Sequence, residues 1–263
     1  MKFLKKFATR AEYEAYMANN ENYPHVGYIA DEGVVEYVKD APFRPDKMPL
    51  HFEAIEDMTV MFSINAIEYS LDNNVWTELP KNTYTPTIAA GDKVYFRAEG
   101  LSPLSMYGIG TFTTTGKFNA LGNAMSMIYG ADFYGKTTMD EFGLFGIFSK
   151  SKIVDASNLI LPATTLVNSC YRNMFLECSE LVIGPTLPAL ELVKSCYLYM
   201  FSKCPKLSYV KAMFLTEPSS SYTTSWMNQV SATGTFVKNA EATWDVTGVD
   251  GVPSGWTIET ATE

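Results

Sequence analysis

Four cysteines are the residues in this 263-residue chain whose type and spacing could do chemistry. Cys170 and Cys178 stand eight positions apart, and Cys196 and Cys204 repeat that spacing 26 residues later. Two chemistries fit. One is a disulfide or metal cluster, with Cys170 over Cys196 and Cys178 over Cys204 at about the 4.7–4.9 Å inter-strand distance, near the lower end of the disulfide Cα range. The other is a pair of buried ladders of small apolar side chains. No Cys-x-x-Cys pair offers zinc spacing. The opening MKFLKKFATRAEYEAYM is basic at Lys2, Lys5 and Lys6 but has no apolar h-region of a secretory signal. With Met1 as the start, synthesis in a reducing cytoplasm is expected, and the buried ladders are the expected reading.

The remaining reactive types point away from catalysis. His25 and His51 are the sole histidines, so His-based metal sites and Ser–His–Asp chemistry are disfavoured. Gly108-x-Gly110 lacks the third glycine of a dinucleotide loop, and Asp72-Asn73-Asn74 lacks the calcium-loop ligand series. Paired carboxylates would serve a glycosidase only at a set separation that sequence does not give. No enzyme activity, cofactor or metal is expected. The aromatics Tyr171, Tyr197, Tyr199, Trp226, Trp244 and Trp256 have two readings. They could form a platform on which sugars stack, with Tyr171, Tyr197, Tyr199 and Trp226 as glycan or partner contacts. The other reading, core and interface packing, is the expected one. Tyr171 and Tyr197 hold equivalent positions 26 apart, which favours a stacked structural ladder.

Composition sets the class. Lys plus Arg number 20 against 29 Asp plus Glu, a net charge of −9. That sign argues against nucleic acid or an anionic membrane surface as partner. No run of about 18 apolar residues occurs, so no membrane span is expected. With 47% apolar and 19% charged residues the chain can build a core.

The elements that must position these residues fall into segments. In residues 1–40, Thr9 and Glu12 fit a capping box ahead of a helix running to Met17. His25–Ala30, the turn Asp31-Glu32-Gly33 and Val34–Val38 read as a hairpin. So small an α+β unit needs a neighbour or an oligomer partner. Residues 41–49, with three prolines, read as a stiff linker. In residues 50–150 the short runs Leu50–Ile55, Thr59–Ile64, Ile67–Leu71 and Val94–Ala98 predict an antiparallel β-sandwich. Gly108–Gly116 reads as a strand pair, and Ala120–Tyr129 as a turn of helix or an apolar loop. Phe142–Phe148 reads as a plug on the end of the segment that begins at residue 151.

Residues 151–234 carry an internal repeat. At an offset of 26, Leu161 falls on Leu187, Leu166 on Leu192, Cys170 on Cys196, Met174 on Met200, Cys178 on Cys204 and Leu181 on Leu207. These twelve are the expected repeat core. The period is that of a leucine-rich-repeat-like solenoid. Leu166, Cys170, Met174 and Cys178 recur every four residues, which predicts a short helix in each coil. Weaker coils flank the two regular ones, with Phe148 on Phe175 after a one-residue slip. Residues 235–263, with Gly248, Gly251, Pro253 and Gly255 between Trp244 and Trp256, read as a β-rich cap. The expected class is mainly β.

The segment LPATTLVNSCYRNMFLECSELVIGP resembles the coils of BspA-like leucine-rich repeats, a family abundant in Bacteroidetes and their phages. IEYSLDNNVWTELP followed by GDKVYFRAEG resembles the β-domain that precedes such coils. KKFATRAEYEAYMANN with HVGYIADEGVVEYV resembles the N-terminal segment of structural proteins from gut Bacteroidetes phages, including crAss-like phages. The resemblance implies a virion fibre or decoration protein. It would be a homotrimer, attached to other virion proteins through residues 1–40 and meeting host-surface polysaccharide with its outer part. The alternative is a BspA-like adhesion module on a bacterial surface.

Overall fold

The computed structural model describes residues 4–7, 9, 11–12, 25–29, 34–38, 45–101, 103 and 108–262. The chain divides into two units, residues 1–47 and 48–263.

The first unit holds a three-stranded sheet in the order β1 (Leu4–Phe7), β2 (His25–Ile29), β3 (Val34–Val38). The expected hairpin is β2–β3, paired antiparallel from Ile29↔Val34 to His25↔Val38. Its turn, Asp31-Glu32-Gly33, lies outside the described residues. Strand β1 pairs parallel to β2 and was not expected, because Leu-Lys-Lys-Phe carries no alternation. The capping contact forms: the Glu12 N–H donates to Thr9 Oγ1 at 3.3 Å. Most of the expected helix, from residue 13 to Met17, lies outside the described residues.

The second unit is mainly β. Its strands are β4 (His51–Ala54), β5 (Val60–Phe62), β6 (Ile67–Ser70), β7 (Thr77–Leu79), β8 (Lys93–Arg97), β9 (Phe112–Thr114) and β10 (Phe118–Asn123). After a one-turn helix, Ser126–Tyr129, come β11 (Ile153–Asp155), β12 (Leu159–Ile160), β13 (Ile183–Leu187), β14 (Tyr209–Ala212), β15 (Gly234–Lys238) and β16 (Trp256–Thr260). One eleven-stranded sheet runs β16-β15-β14-β13-β11-β10-β4-β8-β6-β7, with β12 also on β10. It is antiparallel from β7 to β10 and parallel from β10 to β16. β10 is therefore the pivot strand, antiparallel to β4 on one side and parallel to β11 and β12 on the other. The expected border at 150/151 falls inside this continuous sheet. Strands β15 and β16 add two further parallel rungs, so the expected cap extends the solenoid.

Two smaller expectations are corrected. Gly108–Gly116 is not a strand pair: a single strand, β9, pairs with β5 from Val60↔Thr114 to Phe62↔Phe112. Gly110 allows this close approach, since a Cβ there would lie 2.3 Å from the Ser63 carbonyl oxygen, and its φ of +137° suits glycine. Phe142–Phe148 is not a plug but the first tier of the repeat stack, its amides bonded to the coil of residues 168–176. The 41–49 linker ends on the sheet: Pro45–Lys47 is a 3₁₀ turn, and the Asn123 N–H donates to the Met48 carbonyl at 2.8 Å.

One aromatic spine fills both halves. Phe52 stacks on Phe118 at 4.2 Å and meets Phe96 and Phe112 at 4.9 Å. Phe148 then stacks on Phe175 at 5.3 Å, and Phe175 on Phe201 at 5.4 Å. Trp226 and Phe214 continue the packing to Trp244. Each such pair adds about 0.5–1.5 kcal/mol beyond its area burial.

Candidate functional site

The repeat supplies the first candidate site. The expected helix in each coil is absent. Residues 169–178 form a run of consecutive turns in which the amide donors alternate. Cys170, Arg172, Met174, Leu176 and Cys178 each donate to the carbonyl three residues back. Ser169, Tyr171, Asn173, Phe175 and Glu177 each donate to the next coil, reaching Lys194, Cys196, Leu198, Met200 and Ser202. An α-helix would spend every donor on residue i−4. Here half of them bind coil to coil. Every fourth residue adopts a left-handed φ: Ser169, Asn173 and Glu177 at 58–62°, then Ser195, Tyr199 and Lys203 at 55–61°. The same pattern runs through Phe142, Gly146 and Lys150 before them, and Ser225 and Gln229 after, giving four tiers. The first tier donates 26 residues ahead where the second donates 25, so the one-residue slip seen in the sequence is a real step in the stack.

From Cys170 to Cys178 this geometry alternates two buried residues with two half-buried ones. All twelve predicted repeat-core residues are buried: Leu161, Leu166, Cys170, Met174, Cys178, Leu181, Leu187, Leu192, Cys196, Met200, Cys204 and Leu207. The four cysteines are buried free thiols. Cys178 Sγ donates to the Phe148 carbonyl at 2.9 Å, and Cys204 Sγ to the Phe175 carbonyl at 3.0 Å, so each thiol ties its coil to the one before. Burial pushes Cys170 and Cys178 up to about 12 and Cys196 to about 11, and raises Cys204 as well. These are thiols at neutral pH, and the nucleophilic and metal-binding form is the thiolate.

The aromatic candidates divide. Tyr171 and Tyr197 are fully buried and stack at 6.0 Å; Trp226 is fully buried with Nε1 donating to the Gly251 carbonyl at 2.8 Å. A sugar cannot reach these three, which corrects their assignment as glycan contacts. Trp244 and Trp256 are buried too, donating to the Phe214 and Ser231 carbonyls. Tyr199 alone is exposed, at 37%. Two ion-pair ladders cross the outside of the tiers. Glu177 lies 3.7 Å from Lys150 and 2.8 Å from Lys203; Glu180 lies 3.2 Å from Lys117 and 2.8 Å from Lys206. Their lysine partners hold both carboxyls below the usual carboxylate range.

The second candidate lies on the outer face of the sheet at the pivot strand, where sequence reasoning named nothing. Glu53, Asn119 and Asp155 are register partners across β4, β10 and β11, and with Asn158 they line a cleft of about 220 Å³. Phe118 pairs with Ile153 and Asn119 with Asp155, so Val154 is an extra residue in β11. This bulge turns Asp155 outward beside Asn119; bulges re-aim side chains in this way. The Ser157 N–H donates to Asp155 Oδ1 at 2.6 Å and fixes that carboxylate. On the same face two residues back along β4, His51 is fully buried, with Nδ1 2.9 Å from the Pro49 carbonyl and its ring 4.9 Å from Tyr95. Burial lowers its pKa to about 4. Nδ1 is then the protonated nitrogen, donating to Pro49, and Nε2 has no partner.

Among the described residues no group of three or more metal-ligating side chains forms, and no helix is long and apolar enough to cross a membrane. Fold and sites define a mainly β protein with a β-solenoid. No protein-family model, curated protein or solved structure matches the chain.

Proposed function

We propose that this chain is a non-enzymatic structural protein of a phage virion, a fibre or decoration protein anchored to head or tail by residues 1–40. The observation that carries the reading is the division at 47/48. A unit of 47 residues is too small for much of a core and gains stability from a partner. It precedes a body with a continuous core of its own. Nine strand spacings along the main path of the eleven-stranded sheet amount to about 43 Å, a rigid spacer. Anchoring through the small unit suits a symmetric homotrimer on other virion proteins, with the β-sandwich-like and BspA-like repeat parts projecting outward. The repeat's thiols and most of its aromatics are committed to packing, which supports a structural over a catalytic role. The part-exposed stretch of the sheet's outer face at Glu53, Asn119, Asp155 and Asn158 is where the chain would meet host-surface polysaccharide.

A second reading, a BspA-like adhesion module on a bacterial surface, draws on that same outer face. Immunogold labelling with an antibody against residues 160–263 separates the two. Gold on heads or tails of purified particles is the expected result and assigns the position. Gold on cells but never on particles overturns the virion reading in favour of the adhesin.

A further inference from the structure

We propose that the outer sheet face at the pivot strand, from Glu53 to Tyr209, binds a short neutral saccharide. The inference rests on the glycan-contact part of the proposed function and gives it a place. Four side chains of matched chemistry converge on the cleft: the carboxylates of Glu53 and Asp155 accept, and the carboxamides of Asn119 and Asn158 both donate and accept. Sugar hydroxyls donate and accept in the same way. The two carboxylates repel an anionic ligand. Lys93 lies 3.5 Å from Glu53 and offsets one of them, which leaves too little charge and too few ligands for a divalent cation.

The register extends the site beyond the cleft. Asp155 pairs with Ile183, and Ile183 with Tyr209. Burial alternates along β14, with Val210 and Ala212 inward, so Tyr209 is on the outer face and half-buried. Its ring offers the apolar surface on which a pyranose face packs, and it replaces the buried Tyr171, Tyr197 and Trp226 in that role. Three strand spacings separate Asn119 from Tyr209, about 14 Å, the reach of a di- or trisaccharide laid across the strands. The Val154 bulge is what places Asp155 on this face. Without it, the row would have an apolar gap between Asn119 and Ile183.

The test is a titration of the full chain with maltose, lactose, cellobiose and chitobiose, followed through the Asn119 and Asn158 side-chain amide resonances. Calcium chloride and a galacturonate disaccharide are titrated in parallel. At least one neutral disaccharide is expected to shift both amides. Asn158→Ala, at an exposed position, and Tyr209→Ala should each weaken binding about tenfold, the cost of one lost polar or aromatic contact. Tyr199→Ala should leave it unchanged. No response to any neutral disaccharide overturns the proposal, as does a response to calcium or galacturonate alone. Binding that survives both Asn158→Ala and Tyr209→Ala undiminished overturns it too. The virion placement is judged separately by gold labelling: a chain that labels particles but binds no sugar loses only this site.

Discussion

The tiers of residues 142–229 and the antiparallel strands of residues 51–123 share one aromatic spine and, apart from the β5–β9 pair, one sheet, yet they are built in opposite ways. In the tiers, each contact is repeated one coil later. Phe148, Phe175 and Phe201 stack; Cys178 and Cys204 make the same carbonyl bond; Lys150, Glu177 and Lys203 alternate in charge from coil to coil. In the antiparallel half nothing repeats. Val60 meets Thr114, Ala54 meets Phe118, and Gly122 is held against Pro49, where a Cβ would lie 2.2 Å from the carbonyl oxygen. A stack gains stability from many equivalent neighbours. The other half depends on single, long-range contacts. The expected consequence is that damage to the stack is large where a residue has neighbours on both sides, whereas the pivot strand has one specific weakness.

The sharpest test of the first half is Phe175→Ala. Phe175 is fully buried and stacked on both sides, and its removal leaves a cavity between two coils. A loss of about 3–5 kcal/mol is expected, read by denaturant unfolding. A loss under about 1 kcal/mol would mean the coils do not share a core.

Next in size is the acid sensitivity of the pivot. His51 titrates near 4 in the folded chain against 6.5 unfolded, because burial disfavours its charged form. A base with a depressed folded pKa binds more protons unfolded, so its stabilising effect is full above pH 6.5 and fades as pH falls to 4. The change is about 3 kcal/mol across that window. His51→Gln should flatten that part of the stability–pH curve relative to the parent, measured by unfolding at about pH 7, 5.5 and 4. Parallel curves for parent and variant would remove His51 from the account.

A smaller effect, about 1 kcal/mol, is expected for Cys178→Ala, which loses the bond to the Phe148 carbonyl and a little volume. The same ladder gives a chemical readout. The native protein should resist iodoacetamide at neutral pH, and denaturation without reductant should expose four reactive thiols. Fewer than four would indicate disulfides and revive the cluster reading.

The contrast also explains what the sequence disclosed. The 26-residue offset placed all twelve repeat-core residues, because identical environments select similar residues. The helix expectation failed at the same residues for a physical reason. Two buried positions alternating with two half-buried ones give a period of four, close to the 3.6 of a helix. What separates them is the left-handed backbone at every fourth residue, and Ser169, Glu177, Tyr199 and Lys203 carry no glycine-like signal of it. Pairings such as β5–β9 and β4–β10 join residues fifty or more apart, and no local pattern reports them. The cleft stayed hidden for that reason: Glu53, Asn119 and Asp155 become neighbours only through strand register and one bulge.

The smallest expected effect probes what the repetition of charges contributes. Lys203 lies 2.8 Å from Glu177, and both side chains are substantially exposed, at 52% and 34%. Water screens such a pair, and Glu177 keeps Lys150 at 3.7 Å as a second partner. Lys203→Met should therefore cost about 0.5 kcal/mol or less, and the cost should shrink further in high salt. If it instead approached the effect of Phe175→Ala, the coils would be held in register from outside by charge. An effect near zero places the register where the backbone puts it: in the alternate amides that bind each coil to the next, with the ion pairs as a surface consequence of stacking identical turns.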